Sequence, residues 1–370
     1  MTSLTVLPRI TNALSILAAA AGPAIAGAQV ADTSLKVRFG GFVDSYFAYD
    51  FGRPAALDRS YTTQAARHNE FNVNLAYVEA VVTGEKLRGR LALQAGTSVQ
   101  SNYAGEPAIG AVSGPSLART LQEAYAGVLV RPGLWVDAGI FFSNMGMESW
   151  ASKDNLTYTR SLVAEFSPYY SSGVRATWQA SGRLTARLDV VNGWQNISET
   201  NADKAAGVRL DYAASSAATL SYYNFVQNEA GNRLRFFNGA GVSLKPSPST
   251  QLVGQFDYGT QRRGADSSGT LTWIGGTVMG RLAATPHLAF NARVEYYDDP
   301  HQVIIATGAP DAFSATGWSL GMDVTPQAGA TWRTELRGFA GAHAVFPDRD
   351  GAGGVSKTSL LLVTSLGIAF

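Results

Sequence analysis

Between residues 287 and 297 the chain reads His-Leu-Ala-Phe-Asn-Ala-Arg-Val-Glu-Tyr-Tyr. Taken two at a time, it separates into two faces. Leu288, Phe290, Ala292, Val294 and Tyr296 fall on one, His287, Asn291, Arg293 and Glu295 on the other. Side chains of an extended strand alternate, so one face suits an apolar medium and the other water. Lys86 to Gln100 repeats the pattern, with Leu87, Leu91, Leu93 and Val99 opposite Lys86, Arg88, Arg90, Gln94 and Gln100. Arg183 to Val191 does so again, with Leu184, Ala186, Leu188 and Val190 opposite Arg187 and Asp189. Alternation alone leaves two architectures open, because a soluble sandwich also buries one face of each strand.

The connections decide between them. Sixteen strands begin near Lys36, Phe71, Lys86, Leu121, Leu134, Gly173, Arg183, Ala205, Ala217, Arg233, Thr250, Gly269, His287, Thr316, Gly329 and Ser356. Tight turns such as Gly84-Glu85, Pro132-Gly133, Ser181-Gly182 and Thr285-Pro286 alternate with longer loops over 52–70, 101–120, 143–172, 192–204, 228–232, 261–268, 300–315 and 347–355. Short turns at one end and long loops at the other are the pattern of an outer-membrane barrel, and a sandwich has no reason to adopt it. In hydrocarbon every backbone amide needs a partner, which strands achieve only by closing on themselves. The expected fold is all-β: a transmembrane antiparallel up-and-down β-barrel of 16 strands, with 14 to 18 allowed by the boundaries. The alternation slips phase at Glu79 and again near Tyr222 and Phe236, as a β-bulge or a misplaced boundary would make it.

Composition agrees. Charged residues make up 15% of the chain, against about 25% in soluble domains. Apolar residues reach 46% while mean hydropathy is −0.01, so they are interleaved with polar ones, which excludes a polytopic helical membrane protein. The absence of cysteine removes thiolate zinc sites, iron–sulfur clusters, disulfides and thiol nucleophiles together. Arg9, the apolar run Leu14 to Ala20 and the small residues Ala26-Gly27-Ala28 predict a secretory signal peptide over 1–28, leaving 29–370 as the barrel. Without Arg9 basic and acidic residues balance, whereas a nucleic-acid binder is usually strongly basic, so no such partner is expected.

Aromatic residues gather towards predicted strand ends, Phe47, Tyr49, Phe51, Trp194, Tyr296 and Tyr297 at the loop side and Trp135 and Trp178 at the turn side, as interfacial girdles would place them. The last strand alternates Leu360, Leu362, Thr364, Leu366, Ile368 and ends on Phe370. That ending resembles the carboxy-terminal signal of outer-membrane barrels, which makes Leu366, Ile368 and Phe370 the candidate contact for the barrel assembly machinery.

A family resemblance lies in Gly139-Ile-Phe-Phe-Ser-Asn-Met-Gly146-Met-Glu148, then Asn155-Leu-Thr-Tyr158-Thr-Arg160-Ser161, then Ser167-Pro168-Tyr169-Tyr170-Ser-Ser-Gly173-Val174-Arg175. These segments resemble the OmpL-like β-barrel porin family, and Phe39 to Tyr46 and Asn69 to Ala76 are similar in style to that family's first two strands. Asn144-Met145 and Ser172 stand where the family often carries Thr-Pro and His. The resemblance implies a bacterial outer-membrane porin through which small hydrophilic solutes or ions diffuse passively, with no cofactor and no enzymatic step.

Predicted inward residues, the candidate pore lining, are Arg38, Asp44, Arg88, Arg90, Asp137, Arg175, Arg187, Asp189, Arg209, Asp211, Asp257, Arg293, Glu295, Arg333, Glu335 and Arg337. Fixed charges on a low-dielectric wall select among solutes. Alternatively Arg187 and Asp189, Arg293 and Glu295, and Arg333 and Glu335, each two apart on one face, simply pair with each other. The connection 143–172 mixes Glu148, Lys153, Asp154, Arg160 and Glu165 with the apolar Trp150, Leu162, Val163 and Phe166. So long a loop inside a compact fold is usually functional or disordered. It is the candidate constriction, with Glu148, Asp154 and Arg160 facing the path and Arg175 and Arg209 as wall partners; a solvated external loop is the alternative. The four histidines, His68, His287, His301 and His343, show no metal spacing. Two other readings stay open: a structural or adhesin barrel with a closed lumen, and an outer-membrane hydrolase built on His343 with Ser314 or Asp348. The expected partners are outer-membrane lipid, the solutes themselves and further copies of the chain.

Overall fold

The computed structural model describes residues 35–229, 233–264 and 267–370. The expected signal segment 1–28 lies outside them. The strands are β1 Lys36–Asp50, β2 Phe71–Thr83, β3 Leu87–Ala95, β4 Leu121–Arg131, β5 Leu134–Phe142, β6 Tyr170–Gln179, β7 Leu184–Val191, β8 Ala205–Ser215, β9 Ala218–Glu229, β10 Arg233–Ser247, β11 Thr250–Gly264, β12 Ser267–Thr285, β13 Leu288–Asp299, β14 Phe313–Gln327, β15 Ala330–Gly341, a two-residue ribbon of β16 Phe346–Pro347 and β17 Val355–Ser356, and β18 Thr358–Ala369. Three short helices, α1 Thr97–Asn102, α2 Pro115–Thr120 and α3 Leu162–Glu165, sit in the loops.

Sixteen of these strands form a closed barrel, each pairing antiparallel with its neighbours and β1 closing on β18. All sixteen begin within three residues of the positions expected from alternation. At the seam Phe42 faces Ala369 and Asp50 faces Leu361, and Gly41 and Phe370 exchange both backbone hydrogen bonds at 2.9 and 3.1 Å. Leu366, Ile368 and Phe370 point outward.

Along β13, Phe290, Val294 and Tyr296 are exposed while Asn291, Arg293, Glu295 and Tyr297 are buried, so the apolar face is the outer one. Outward Val78, Leu91, Leu188, Leu220, Phe256 and Leu320 carry the same band round the wall. An exposed belt of large apolar side chains on a closed sheet is what hydrocarbon solvates. No helix among the described residues is long and apolar enough to cross a membrane.

The phase slip near Glu79 has a local cause. Asp44 faces Leu75 but Ser45 faces Val73, so Asn74 is an extra residue in β2, and both Asn74 and Leu75 are buried. This bulge turns Tyr77 and Glu79 inward. No slip occurs at Tyr222 or Phe236. In β9 and β10 these two are exposed while Tyr223, Phe225 and Phe237 are buried, so both faces are aromatic and the alternation is hidden rather than broken. The loop expected over 261–268 is also shorter, because β11 and β12 run on to Gly264 and from Ser267.

The turn ends and loop ends are therefore opposite rims of one wall. The native chain has no cysteine, so single introduced cysteines report on topology: one at Gly110 should react with an impermeant maleimide on intact cells, and one at Gly182 only after the outer membrane is opened. Equal labelling of both on intact cells would contradict this orientation.

Candidate functional site: the lumen and its inserted loop

After β5 the chain turns into the barrel instead of leaving it. Arg209 of β8 donates to the carbonyls of Asn144 (3.0 Å) and Gly146 (2.7 Å). The Met147 N–H donates to Gln255 of β11 at 2.9 Å. Farther on, Ser152 donates to Asp44 of β1 at 2.7 Å, and Arg333 of β15 donates to the Ser152 and Leu156 carbonyls at 2.6 and 3.0 Å. Glu335 accepts the Tyr158 and Thr159 N–H groups at 2.7 and 3.0 Å, Arg293 of β13 reaches Thr157 Oγ1 at 2.8 Å, and Glu295 accepts the Leu162 N–H at 2.6 Å. A loop backbone away from bulk water needs such partners, and five strands of the wall supply them.

The charged residues of this loop divide into two groups. Lys153 and Asp154 pair at 3.0 Å and face open space on the turn side. Glu148, Arg160 and Glu165 do not face it, contrary to the expectation for Glu148 and Arg160. Arg160 is buried, stacked 3.8 Å from the Tyr169 ring centre and 4.8 Å from that of Trp150, and ion-paired with Glu165 at 3.5 Å. Glu165 in turn accepts the Thr63 N–H at 3.0 Å and its hydroxyl at 2.7 Å. Glu148 accepts the Ser161 N–H at 3.1 Å and its hydroxyl, at the start of α3. Burial pushes the Glu148 carboxyl up from its usual range.

A second loop, 51–70, also enters. Gln64 donates to the Trp150 carbonyl at 3.1 Å, Tyr61 donates to the Val345 carbonyl at 3.0 Å, and the bulge residue Asn74 accepts the Ala65 N–H at 3.2 Å. Arg53, Leu57, Tyr61, Ala65 and Asn69, every fourth residue, have left-handed backbones with φ between 50° and 62°. Asn tolerates this region; the other four cost roughly 1–2 kcal/mol each.

Above α3 the lumen is apolar. Phe225, Phe237, Trp273, Tyr297 and Phe313 from the wall pack with Leu162 and Val163 of the loop, and Trp194 joins them. Gly259 is what admits Trp273, its cross-strand partner: a Cβ there would lie 2.0 Å from the indole. On the turn side the lumen keeps cavities of about 370, 270 and 220 Å³.

Most of the inward residues expected from alternation are ion-paired. Arg88 pairs with Asp137, Arg90 with Glu79 and Glu123, Arg175 with Asp189, and Arg187 and Arg209 both with Asp211. Arg293 and Arg337 both pair with Glu295, and Arg293 also with Glu335. Arg333 pairs with Asp323. Of the three pairs spaced two apart, only Arg293 and Glu295 join each other. Arg175 packs on Phe141 and holds no loop backbone, while Arg209 does. Asp257 is buried, taking hydrogen bonds from Tyr223 and Gln255, and Arg38 borders the largest turn-side cavity. Sequence reasoning missed Glu79, Glu123, Gln255, Arg281 and Asp323; Glu79 was hidden by the bulge. Of the hydrolase candidates, His343 lies 3.5 Å from Asp311, the Ser314 carbonyl accepts the Ala342 N–H at 2.9 Å, and Asp348 accepts the Asp350 N–H.

A charged, partly plugged lumen inside an apolar-walled barrel is porin architecture, and the family model described as "Putative beta-barrel porin-2, OmpL-like" matches residues 36–370. The chain belongs to this porin family. It is a porin of the bacterial outer membrane. No curated protein matches its sequence. Among solved structures, the outer membrane channel DcaP of Acinetobacter baumannii superposes with a TM-score of 0.60 at 13% identity, covering 94% of this chain and 100% of that one. An anion-selective porin from Comamonas acidovorans gives 0.58 at 12%, covering 91% and 100%. OmpT of Vibrio cholerae, in a trimer form, gives 0.59 at 9%, covering 91% and 100%.

The raised Glu148 carboxyl makes a stability prediction. A carboxyl whose pKa rises on folding stabilises the fold at acid pH, and that contribution is lost as pH climbs through the folded value. Glu148→Gln keeps an acceptor for Ser161 without the charge. The variant's advantage in unfolding temperature over the wild-type porin should therefore grow as pH rises above the usual carboxylate range; an advantage that shrinks as pH rises would contradict the placement of Glu148.

Proposed function

We propose that this porin passes small anions in preference to cations, with the 143–172 loop as its constriction. One observation carries the reading: the two halves of the wall ion pairs are unequally exposed. The Arg88 side chain is 29% exposed against 6% for Asp137, and Arg281 is 30% exposed against 5% for Asp323. At these two pairs the carboxylate lies against the wall and the guanidinium stands in front of it, whereas Arg209 and Asp211 are about equally exposed. Formal charges cancel over residues 29–370, but exposed guanidinium groups such as those of Arg88 and Arg281 give the surface that a solute meets a cationic bias, and a low-dielectric wall strengthens its field. Lys153 and Asp154 both border the two larger turn-side cavities, so each is a candidate to tune that field, in opposite directions.

The apolar packing above α3 favours a second reading, a structural barrel whose lumen stays closed. Planar-bilayer recordings in a salt gradient separate the two. Stepwise currents with a chloride-directed reversal potential are expected, moved towards cations by Lys153→Gln and towards anions by Asp154→Asn, and less so at high salt because screening shortens the field. A cation-directed wild-type potential would overturn the anion reading, and a barrel that never conducts would establish the closed one.

A further inference from the structure

Arg88, Gly127, Asp137, Arg175 and Asp189 are successive cross-strand partners from β3 to β7, one row of alternating charge along the inner wall. Gly127 makes the row possible. A Cβ there would sit 2.0 Å from Asp137 Oδ1 and 3.1 Å from Arg88 Cγ, so only a bare backbone lets Arg88 reach across β4. Arg88 meets Asp137 through Nε, at 2.7 Å, and Nη2; Arg175 meets Asp189 through the same two nitrogens, each at 2.7 Å. The planes are further held by rings, Trp135 at 4.6 Å from the Arg88 guanidinium and Phe141 at 4.2 Å from that of Arg175. Among the described residues the Nη1 of each takes no protein partner. Arg187 spends only Nη1, on Asp211 at 2.6 Å.

These three arginines border one cavity of about 220 Å³, together with Thr177 and with Asp137, whose carboxylate is held by Arg88. Glu123 also borders it, but its carboxylate is engaged by Arg90 and by the Phe142 N–H. Planar donor forks, fixed in advance and with one edge free, match the oxygens of a carboxylate, phosphate or sulfate and offer less to a halide. We propose that this cavity is a preformed binding site for small oxyanions on the turn-side wall of the lumen. The proposal deepens the anion reading above by naming a class of anion and the place that holds it.

Calorimetric titration of inorganic sulfate into the refolded, full barrel tests the site without requiring conduction. Saturable binding of one sulfate is expected, weakened about tenfold by Arg187→Gln, which removes charge-assisted donors. It should be lost in the double variant Arg175→Gln and Asp189→Asn, which deletes a pair without stranding a buried charge. Far-UV circular dichroism and heat-modified gel mobility confirm that each variant is a barrel. Absence of saturable heat in the wild type, or unchanged affinity in both folded variants, overturns the site. Sulfate binding in a porin with no anion preference would leave the site standing and sink the selectivity reading; anion preference without sulfate binding would do the reverse.

Discussion

A loop that folds into a barrel carries its unpaired backbone N–H and C=O groups with it, and the wall must answer each of them. Here the answer comes from charged side chains. Arg333 and Glu335, two apart on β15, receive the segment from Ser152 to Thr159, one taking carbonyls and the other amides. Arg293 reaches into the same segment, to the Thr157 hydroxyl and the Thr159 carbonyl, and Glu295 takes the Leu162 amide beyond it. Arg293, Glu295, Arg333 and Glu335 each also face an opposite charge on the wall, so they bind both along the wall and towards the loop. Buried charges are expensive to desolvate, and such a network contributes less net stability than its contacts suggest. What it contributes is a single position for the loop, because a shift of one residue would set amides against guanidinium groups.

That position divides the lumen. On the loop side of α3 the space is filled by aromatic rings and by the strained 51–70 segment, which leans on Glu165 and Trp150. On the turn side Lys153 and Asp154 face open cavities bordered by Arg38, Arg90 and Arg281. Strain in 51–70 is tolerated because Arg59, Asn74 and Tyr61 fasten it at several points. The same barrel therefore has an apolar packed half and a polar open half, and the inserted loop is the boundary between them.

Strand number and boundaries were legible because hydrocarbon outside and charge inside leave a period of two, as in 287–297. Legibility failed where both faces carry the same chemistry. Tyr222 with Tyr223 and Phe236 with Phe237 read as a phase slip when the inner ring is part of the luminal core. It failed again where meaning depends on register. Arg187 stands two residues from Asp189 but pairs with Asp211 on the next strand, and Arg88 reaches Asp137 across a glycine whose role a linear pattern does not display. In the loop, composition pointed to insertion, but not to which charges turn back: Arg160 is spent on Tyr169, Trp150 and Glu165, and Glu148 on Ser161.

Single-channel conductance of a barrel in which residues 147–164 are replaced by a short glycine-serine link tests most directly whether the inserted loop sets the width of this porin. With the strands intact by circular dichroism and gel mobility, the shortened barrel should conduct several-fold more than the wild type and lose its discrimination between ions. Equal conductance in the two would contradict a lumen bounded by this loop.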